Sequence, residues 1–273
     1  MSGQRAAVGW RIVEGSVVGP GHSKAGAPNQ DGFGTEVLPS GATVAVVADG
    51  AGSRARSEVG AMLAVRSGIE AARSVFGTSL PTDAVGWRRA CGCLRTTVLD
   101  NFDGNLSMRI EQDRRNEGLG REQIKLGDYA STLLAVVSAP PWLAYIAVGD
   151  CFLVVDRRPG GAFLLSPVAE VREHGGATVF MTSDSRQEHC STGLVWDAGI
   201  RGIALATDGL YEALLTYRRD ADDVLWYTAP KDFVRYFDHF ASAGGDELAS
   251  VLASDPFVKS SGDDKTMIIM VQE

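Results

Sequence analysis

Cysteine is scarce in this sequence, and the few cysteines present form no recognisable framework. The four residues, Cys91, Cys93, Cys151 and Cys190, contain no C-x-x-C pair and no Cys/His spacing typical of a zinc site. We therefore expect neither disulfide scaffolding nor structural zinc, and we expect reduced thiols in an intracellular protein.

Long apolar runs are also missing. No run approaches the ~20 residues that a membrane-spanning helix needs. The first ten residues, MSGQRAAVGW, lack the apolar segment of a secretory signal peptide. These absences predict no membrane association and a cytoplasmic location.

Basic charge is in deficit as well. The 273 residues carry a formal net charge of −8, and the longest basic stretches are pairs such as Arg88-Arg89. A protein that grips a nucleic-acid backbone needs clusters of Lys and Arg, so nucleic-acid binding is not expected. The sequence has no G-K-[ST] segment, which excludes a phosphate-binding P-loop. The acidic balance instead suits a site built from carboxylates that bind cations.

The hydrophobic pattern predicts strands and helices in blocks rather than strict βαβ alternation. Antiparallel sheets with helices packed outside them, an α+β fold, follow from this order, and no linker divides residues 1–273, so we expect a single domain. We predict strands at 8–18, 43–48, 130–137, 142–149, 151–156, 202–207 and 266–271, and helices at 58–76, 82–115, 209–217, 230–241 and 246–254. The helix 82–115 has a possible break near Asp103-Gly104, and the three central strands are expected to form a meander. The polar segment 166–200 is predicted to be a surface flap.

Two apolar runs end in the dipeptide Asp-Gly. VAVVADGAGS (44–53) and GIALATDGLYEAL (202–214) each lead from a buried strand into Asp49 or Asp208. Asp-Gly is also common hairpin-turn chemistry, but here the chain continues into a predicted helix. Carboxylates that meet at the ends of adjacent buried strands would repel each other unless protons or cations intervene. Hard oxygen ligands of this kind favour Mg²⁺ or Mn²⁺ over zinc.

Six motifs in order along the chain resemble the metal-dependent serine/threonine phosphatases of the protein phosphatase 2C type, in their bacterial form. They are PNQDGFG (28–34), VVADGAGS (46–53), ASTLLAVV (130–137), AVGDCFLVV (147–155), LATDGLYEAL (205–214) and GDDKTMIIM (262–270). Each motif is weak alone, whereas six in the right order and spacing are specific. The resemblance implies a four-layer α-β-β-α sandwich with a metal cleft at one end of its two sheets.

The resemblance also implies a set of metal ligands. Asp49 would bridge two Mn²⁺ or Mg²⁺ ions, and the Gly50 carbonyl would bind one of them. Asp208 and Asp263 would complete the shell of the other ion, with Asp31 in the same acidic cluster. An optional third ion would use Asp128. Asp264 is expected just outside the shell, and Asp150 is expected to be a buried structural acceptor of hydrogen bonds.

The activity implied by the resemblance is hydrolysis of phosphoserine and phosphothreonine in phosphoproteins. Two cations would share a water, lower its pKa and offset charge on the phosphoryl oxygens while hydroxide attacks phosphorus in line. The substrate would be a phosphoprotein, and a serine/threonine kinase would be the opposing partner. Two alternatives stay open: a non-catalytic member that binds in phospho-signalling, and a hydrolase of small phosphate esters.

Three departures from the family pattern concern the substrate. The Arg that family members carry five residues before Asp31 is replaced by Gly26, so His22 and Lys24 in the same loop become the candidates for phosphate binding. We take His22, with Asp49 and Asp31, as a catalytic candidate. The eukaryotic His inside D-G-x-G is Ala51 here, and Cys151-Phe152 stands where Ser-Arg is usual.

Overall fold

Two five-stranded antiparallel sheets face each other in a computed structural model, which describes residues 9–118, 120, 123–166, 178–219 and 225–273. In spatial order, the first sheet contains β1 (Trp10–Val17), β12 (Lys265–Gln272), β9 (Ile200–Ala206), β6 (Phe152–Arg157) and β7 (Gly161–Ser166). The second contains β2 (Gly32–Val37), β3 (Thr43–Ala48), β4 (Leu133–Ala139), β5 (Trp142–Val148) and β8 (Ser191–Trp196). Two further strands, β10 (Thr216–Arg219) and β11 (Leu225–Thr228), pair antiparallel with each other.

Seven α-helices lie in the described part of the chain. They are α1 (Pro20–Ala25), α2 (Ser57–Phe76), α3 (Ala84–Glu117), α4 (Tyr211–Leu214), α5 (Val234–Phe240), α6 (Gly245–Leu252) and α7 (Asp255–Ser260). Helices α2 and α3 cover the second sheet, while α5 and α6 contact the first.

Alternation along the strands explains how the layers hold together. In β3, Val44 and Val46 belong to a core shared with α2 and α3, whereas Ala45 and Val47 point into a core between the two sheets. A third core lies under α5 to α7, on the outer face of the first sheet. Both faces of β3 are buried, which is why its sequence reads as a continuous apolar run. The predicted α-β-β-α sandwich is confirmed.

The predicted meander is wrong at its last step. Strands β4 and β5 pair as expected, but β6 joins the opposite sheet and pairs with β9 and β7. The chain crosses between the sheets at residues 149–151, where Gly149 adopts a φ of +95°. A short connection favours pairing of the two strands it joins, yet a left-handed glycine lets the chain change sheets within three residues.

Other differences concern helix ends and edge strands. Helix α3 runs through Asp103-Gly104 without a break, because Val98, Phe102 and Leu106 keep one buried stripe at helical spacing. The helix predicted over 209–217 stops at Leu214 and is followed by β10. The prediction also omits strands β2, β7, β8, β10 and β11 and helices α1 and α7.

Part of the predicted flap is regular structure. Residues 191–196 form β8 at the edge of the second sheet, paired with β5, and residues 167–177 lie outside the described residues. None of the helices in the described residues combines the length and the apolar composition that a membrane span requires.

Candidate metal centre

Asp49 and Asp208 reach the same place from opposite sheets. Asp49 directly follows β3 in the second sheet, and Asp208 lies two residues after the end of β9 in the first. We expected adjacent strands, but the two strands face each other across the inter-sheet core. The Asp49 backbone is fixed on both sides, since its N–H donates to Thr132 Oγ1 at 2.8 Å and its carbonyl accepts from the Thr132 N–H at 2.8 Å.

The glycine after Asp208 lets a third strand approach. A Cβ on Gly209 would lie 2.0 Å from the Asp264 carbonyl oxygen, so no other residue fits without a backbone shift. The Thr207 N–H donates to the Thr266 carbonyl in the same region. The end of β9 is thereby held beside the start of β12, which brings Asp208 near Asp263.

The first carboxylate cluster consists of Asp49, Asp150 and Asp208. One oxygen from each lies within 4.8 Å of the others. Two of these were predicted site residues, whereas Asp150 was assigned a structural role. The signal that could have found it is its G-D dipeptide directly after β5, which resembles the Asp-Gly endings of β3 and β9 in placing a carboxylate at a strand terminus.

The second cluster consists of His22, Asp263 and Asp264. The Asp264 carboxylate is already occupied: it accepts from the Gly19 N–H at 2.7 Å and from the Gln30 N–H at 2.6 Å. His22 Nδ1 lies 2.9 Å from Asp264 Oδ2, without the alignment of a hydrogen bond. Asp264 therefore ties two loops together, while Asp263 is exposed.

Asp31 lies between the two clusters. Burial raises its pKa to about 8, hydrogen bonds from Thr266 and Thr207 oppose this, and the charges of Asp264 and Asp208 add to it. Thr207 Oγ1 donates to Asp31 Oδ2 at 2.9 Å.

The pKa values of the neighbouring carboxyl groups are raised as well. Burial, followed by the charge of Asp150, raises the pKa of Asp208 to about 6. Burial and the charges of Asp31 and Asp208 raise the pKa of Asp49 well above its usual range. Several buried carboxyl groups that repel one another are stabilised by protons or by cations, and a site of hard oxygen ligands suits divalent Mg²⁺ or Mn²⁺.

The remaining predicted residues are Asp128, Lys24 and Gly50, which directly follows Asp49 of the first cluster. Asp128 belongs to neither, and its Oδ2 accepts from the Lys125 N–H at 2.8 Å. Gly50 donates its N–H to the Gln30 carbonyl at 3.1 Å and forms an isolated bridge with Ser131. Lys24 is exposed on α1, the helix that also carries His22.

A buried lysine was missed by the sequence reasoning. Lys265 is 1% exposed, and its Nζ donates to the carbonyls of Ser261 at 2.8 Å and Asp263 at 2.7 Å. An ammonium without solvent needs such acceptors. Lys265 therefore holds the loop that carries Asp263, and its charge lies close to the carboxylates of Asp263, Asp264 and Asp31.

The sandwich and its carboxylate cleft define a metal-dependent phosphatase. The chain belongs to the protein phosphatase 2C family, whose model matches residues 18–253. It is 27% identical over 272 residues to serine/threonine-protein phosphatase 3 of Escherichia coli strain K12, covering 95% of this chain and 97% of that protein.

Solved structures agree on the fold. A serine/threonine phosphatase from Staphylococcus aureus superposes with a TM-score of 0.63 at 13% identity, covering all of both chains. PppA, described as a key regulatory component of the T6SS in Pseudomonas aeruginosa, gives a TM-score of 0.61 at 16% identity, covering 98% of this chain and 100% of that one.

Proposed function

We propose that this protein hydrolyses phosphoserine and phosphothreonine in phosphoproteins, with Asp49 at the centre of a two-cation site. The observation that carries the proposal is the convergence of buried carboxyl groups with raised pKa values at the ends of two facing sheets. Membership of the protein phosphatase 2C family supports the same chemistry.

The proposed ligands lie in loops that meet at the ends of β3, β9 and β12. Asp49 would help to hold both ions, the Gly50 carbonyl would help to hold one of them, and Asp208 and Asp263 would help to hold the other, with Asp31 beside them. Mn²⁺ or Mg²⁺, when bound, supplies Lewis acidity that makes water nucleophilic near neutral pH and offsets the charge of the phosphoryl group. Thr132 and Thr207 orient Asp49 and Asp31 through the hydrogen bonds described above.

His22 and Lys24 are the proposed phosphate-binding groups. His22 is held at its Nδ1 side by Asp264, and a Cβ on Gly52 would lie 3.5 Å from His22 Nε2. The second ring nitrogen of His22 thus faces the loop that follows Asp49. Both side chains can donate to a phosphoryl oxygen, His22 beside the carboxylates and Lys24 from the exposed side of the same helix.

We further propose that residues 1–273 act as one catalytic domain that opposes a serine/threonine kinase. Pairing of β1 with β12, which joins the two ends of the described chain in one sheet, supports a single folding unit. The motif ligands Asp31, Asp49, Asp208 and Asp263 are all retained, which favours an enzyme over a non-catalytic binding member.

The experiment that tests the proposal compares phosphopeptide and aryl phosphate hydrolysis by the full chain. Assays contain Mn²⁺, Mg²⁺ or excess chelator. Cation-dependent turnover of phosphoserine or phosphothreonine peptides supports the proposal. Turnover of aryl phosphate alone favours a small-ester hydrolase, and phosphopeptide binding without turnover favours the non-catalytic alternative.

A further inference from the structure

Asp150 lies at the point where the chain crosses from one sheet to the other. Gly149 has a φ of +95°, and a Cβ there would lie 2.5 Å from Thr132 Cγ2 and 3.1 Å from the Val179 carbonyl oxygen. The crossing is therefore close-packed on both sides. It brings the Asp150 carboxylate to the open ends of β3 and β9, where Asp49 and Asp208 are found.

The two oxygens of Asp150 differ in what they contact. Oδ2 accepts a hydrogen bond from Thr178 Oγ1 at 2.8 Å. Oδ1 is shielded from solvent and has no hydrogen-bond partner within the part of the chain that the structure describes. The Asp150 backbone carbonyl accepts from the Tyr211 hydroxyl, so the main chain is held as well. A rigidly held carboxylate with one free, shielded oxygen is arranged as a ligand rather than as a satisfied structural acceptor.

Among the residues that the structure describes, no Lys, Arg or His forms an ion pair with the carboxylates of this cluster. Oxygens of Asp49, Asp150 and Asp208 lie within 4.8 Å of one another. Burial, with the charge of Asp263 adding to it, raises the pKa of Asp150 despite the Thr178 hydrogen bond. The nearest buried ammonium identified above, on Lys265, is committed to two backbone carbonyls. A divalent cation would pair all three carboxylates at once.

Asp128, the other candidate for an additional ion, is placed differently. Its Oδ2 accepts from the Lys125 N–H in the short 3-10 turn Leu126–Tyr129, and it belongs to neither cluster. The carboxylate therefore serves local chain geometry. We propose that Asp150, rather than Asp128, joins Asp49 and Asp208 as a direct ligand of a bound divalent cation.

The test is calorimetric titration of the full chain with Mn²⁺, in wild type and in Asp150→Asn and Asp128→Asn. Asp150→Asn should lose one class of Mn²⁺ site or weaken it at least about tenfold, because one anionic ligand becomes neutral. Asp128→Asn should bind as wild type does. Wild-type binding by Asp150→Asn, or the loss appearing in Asp128→Asn instead, would overturn the proposal.

The variant Thr178→Val distinguishes a direct metal-ligand role of the Asp150 carboxylate from a structural role. It removes the hydrogen bond to Oδ2 and leaves the Asp150 carboxylate in place, so Mn²⁺ stoichiometry should be unchanged. If it reproduces the defect of Asp150→Asn, the carboxylate acts through Thr178 and the proposal fails. Asp150→Glu, which keeps the charge but displaces it by one methylene, must also weaken the site, and it serves if the Asn variant does not fold.

The inference rests on the cation requirement within the proposed function, not on the phosphoprotein substrate. The two can fail separately because the titration contains no substrate. If the wild-type protein does not hydrolyse phosphopeptides, the proposed function is wrong, but the result of the Mn²⁺ titration is unaffected. Normal turnover with unchanged Mn²⁺ binding in Asp150→Asn would contradict only the assignment of Asp150.

Discussion

At the scale of single residues, the carboxyl groups decide what the protein can do. Asp49 ends a fully buried strand, where an unpaired carboxylate is costly. Its pKa is raised by burial first and then by the charges of Asp31 and Asp208. Without cations the site therefore holds protons, and cations must displace them to bind.

Asp49→Asn is expected to reduce phosphopeptide turnover to background. The side chain keeps its shape but loses the charge that would bridge two cations. Stability in chelator should hold or rise, since Asn resembles the protonated carboxyl and relieves repulsion, while the stabilisation caused by Mn²⁺ should largely disappear. Thermal unfolding with and without Mn²⁺, beside the peptide assay, checks both parts. An active variant, or full wild-type activity in excess chelator, would rule out the two-cation mechanism.

His22→Ala or Lys24→Ala should weaken apparent phosphopeptide binding about tenfold or more, because a charge-assisted contact is typically worth ~1.5–3 kcal/mol. Steady-state kinetics of each single variant identifies the group that binds phosphate. Wild-type kinetics for both would move the contact elsewhere. Arg54 would then be the better candidate, since Arg56 donates to both carboxylate oxygens of Glu117 at 2.8 and 2.6 Å.

At the scale of elements, the segment 178–190 lies against α3 and the second sheet. Met181 is fully buried, and its N–H donates to the Ser131 carbonyl at 2.7 Å, next to the Thr132 that positions Asp49. Arg186 donates to the Met181 carbonyl at 2.8 Å and pairs with Asp103 on α3 at 2.5 Å. The predicted flap is thus anchored here, in contacts that lead towards the metal centre.

Arg186→Ala should release this anchor and lower phosphoprotein turnover more than aryl phosphate turnover, because only the larger substrate reaches beyond the cleft. The cost in stability should be modest, since partly exposed ion pairs typically contribute ~0.2–1 kcal/mol. Arg235→Ala, which removes an exposed side chain of α5, is the matched control and should change neither rate. Equal losses on both substrates would show that the segment is purely structural.

At the scale of the whole molecule, the acidic centre links stability to pH. Asp31 and Asp208 have pKa values raised to about 8 and about 6 from an ordinary 3.8. Between the ordinary and the raised values the folded protein binds more protons than the unfolded chain. Stability therefore decreases as pH rises through this window. The carboxyl groups with lowered pKa, such as Asp113 and Glu117, oppose this trend only near and below their ordinary values of 3.8 and 4.5.

The free energy of unfolding in chelator should thus fall as the pH rises from about 4.5 to about 8. Saturating Mn²⁺ should flatten or reverse the fall, because cations replace the lost protons. Denaturant unfolding at several pH values, with and without Mn²⁺, measures the slopes. Asp31→Asn should flatten the slope in chelator, and an unchanged slope in that variant would show that other groups carry it.

The motifs in the sequence predicted the family, the layered fold and most of the acidic centre. Apolar runs such as 43–48 have a local cause, burial on both faces, and so can be read from sequence alone. Asp-Gly at 49 and 208 likewise marks strand ends through local pattern.

Contacts between distant parts of the chain decided the rest. The departure of β6 to the opposite sheet depends on the packing of Gly149 against Thr132 and Val179, which no local pattern records. The roles of Asp150, Asp264 and Lys265 depend in the same way on partners from other loops. An Asp in the sequence can become a metal ligand, a hydrogen-bond acceptor that connects two loops, or a surface charge. Its role depends on the groups that surround it, and only the tertiary structure brings those groups together.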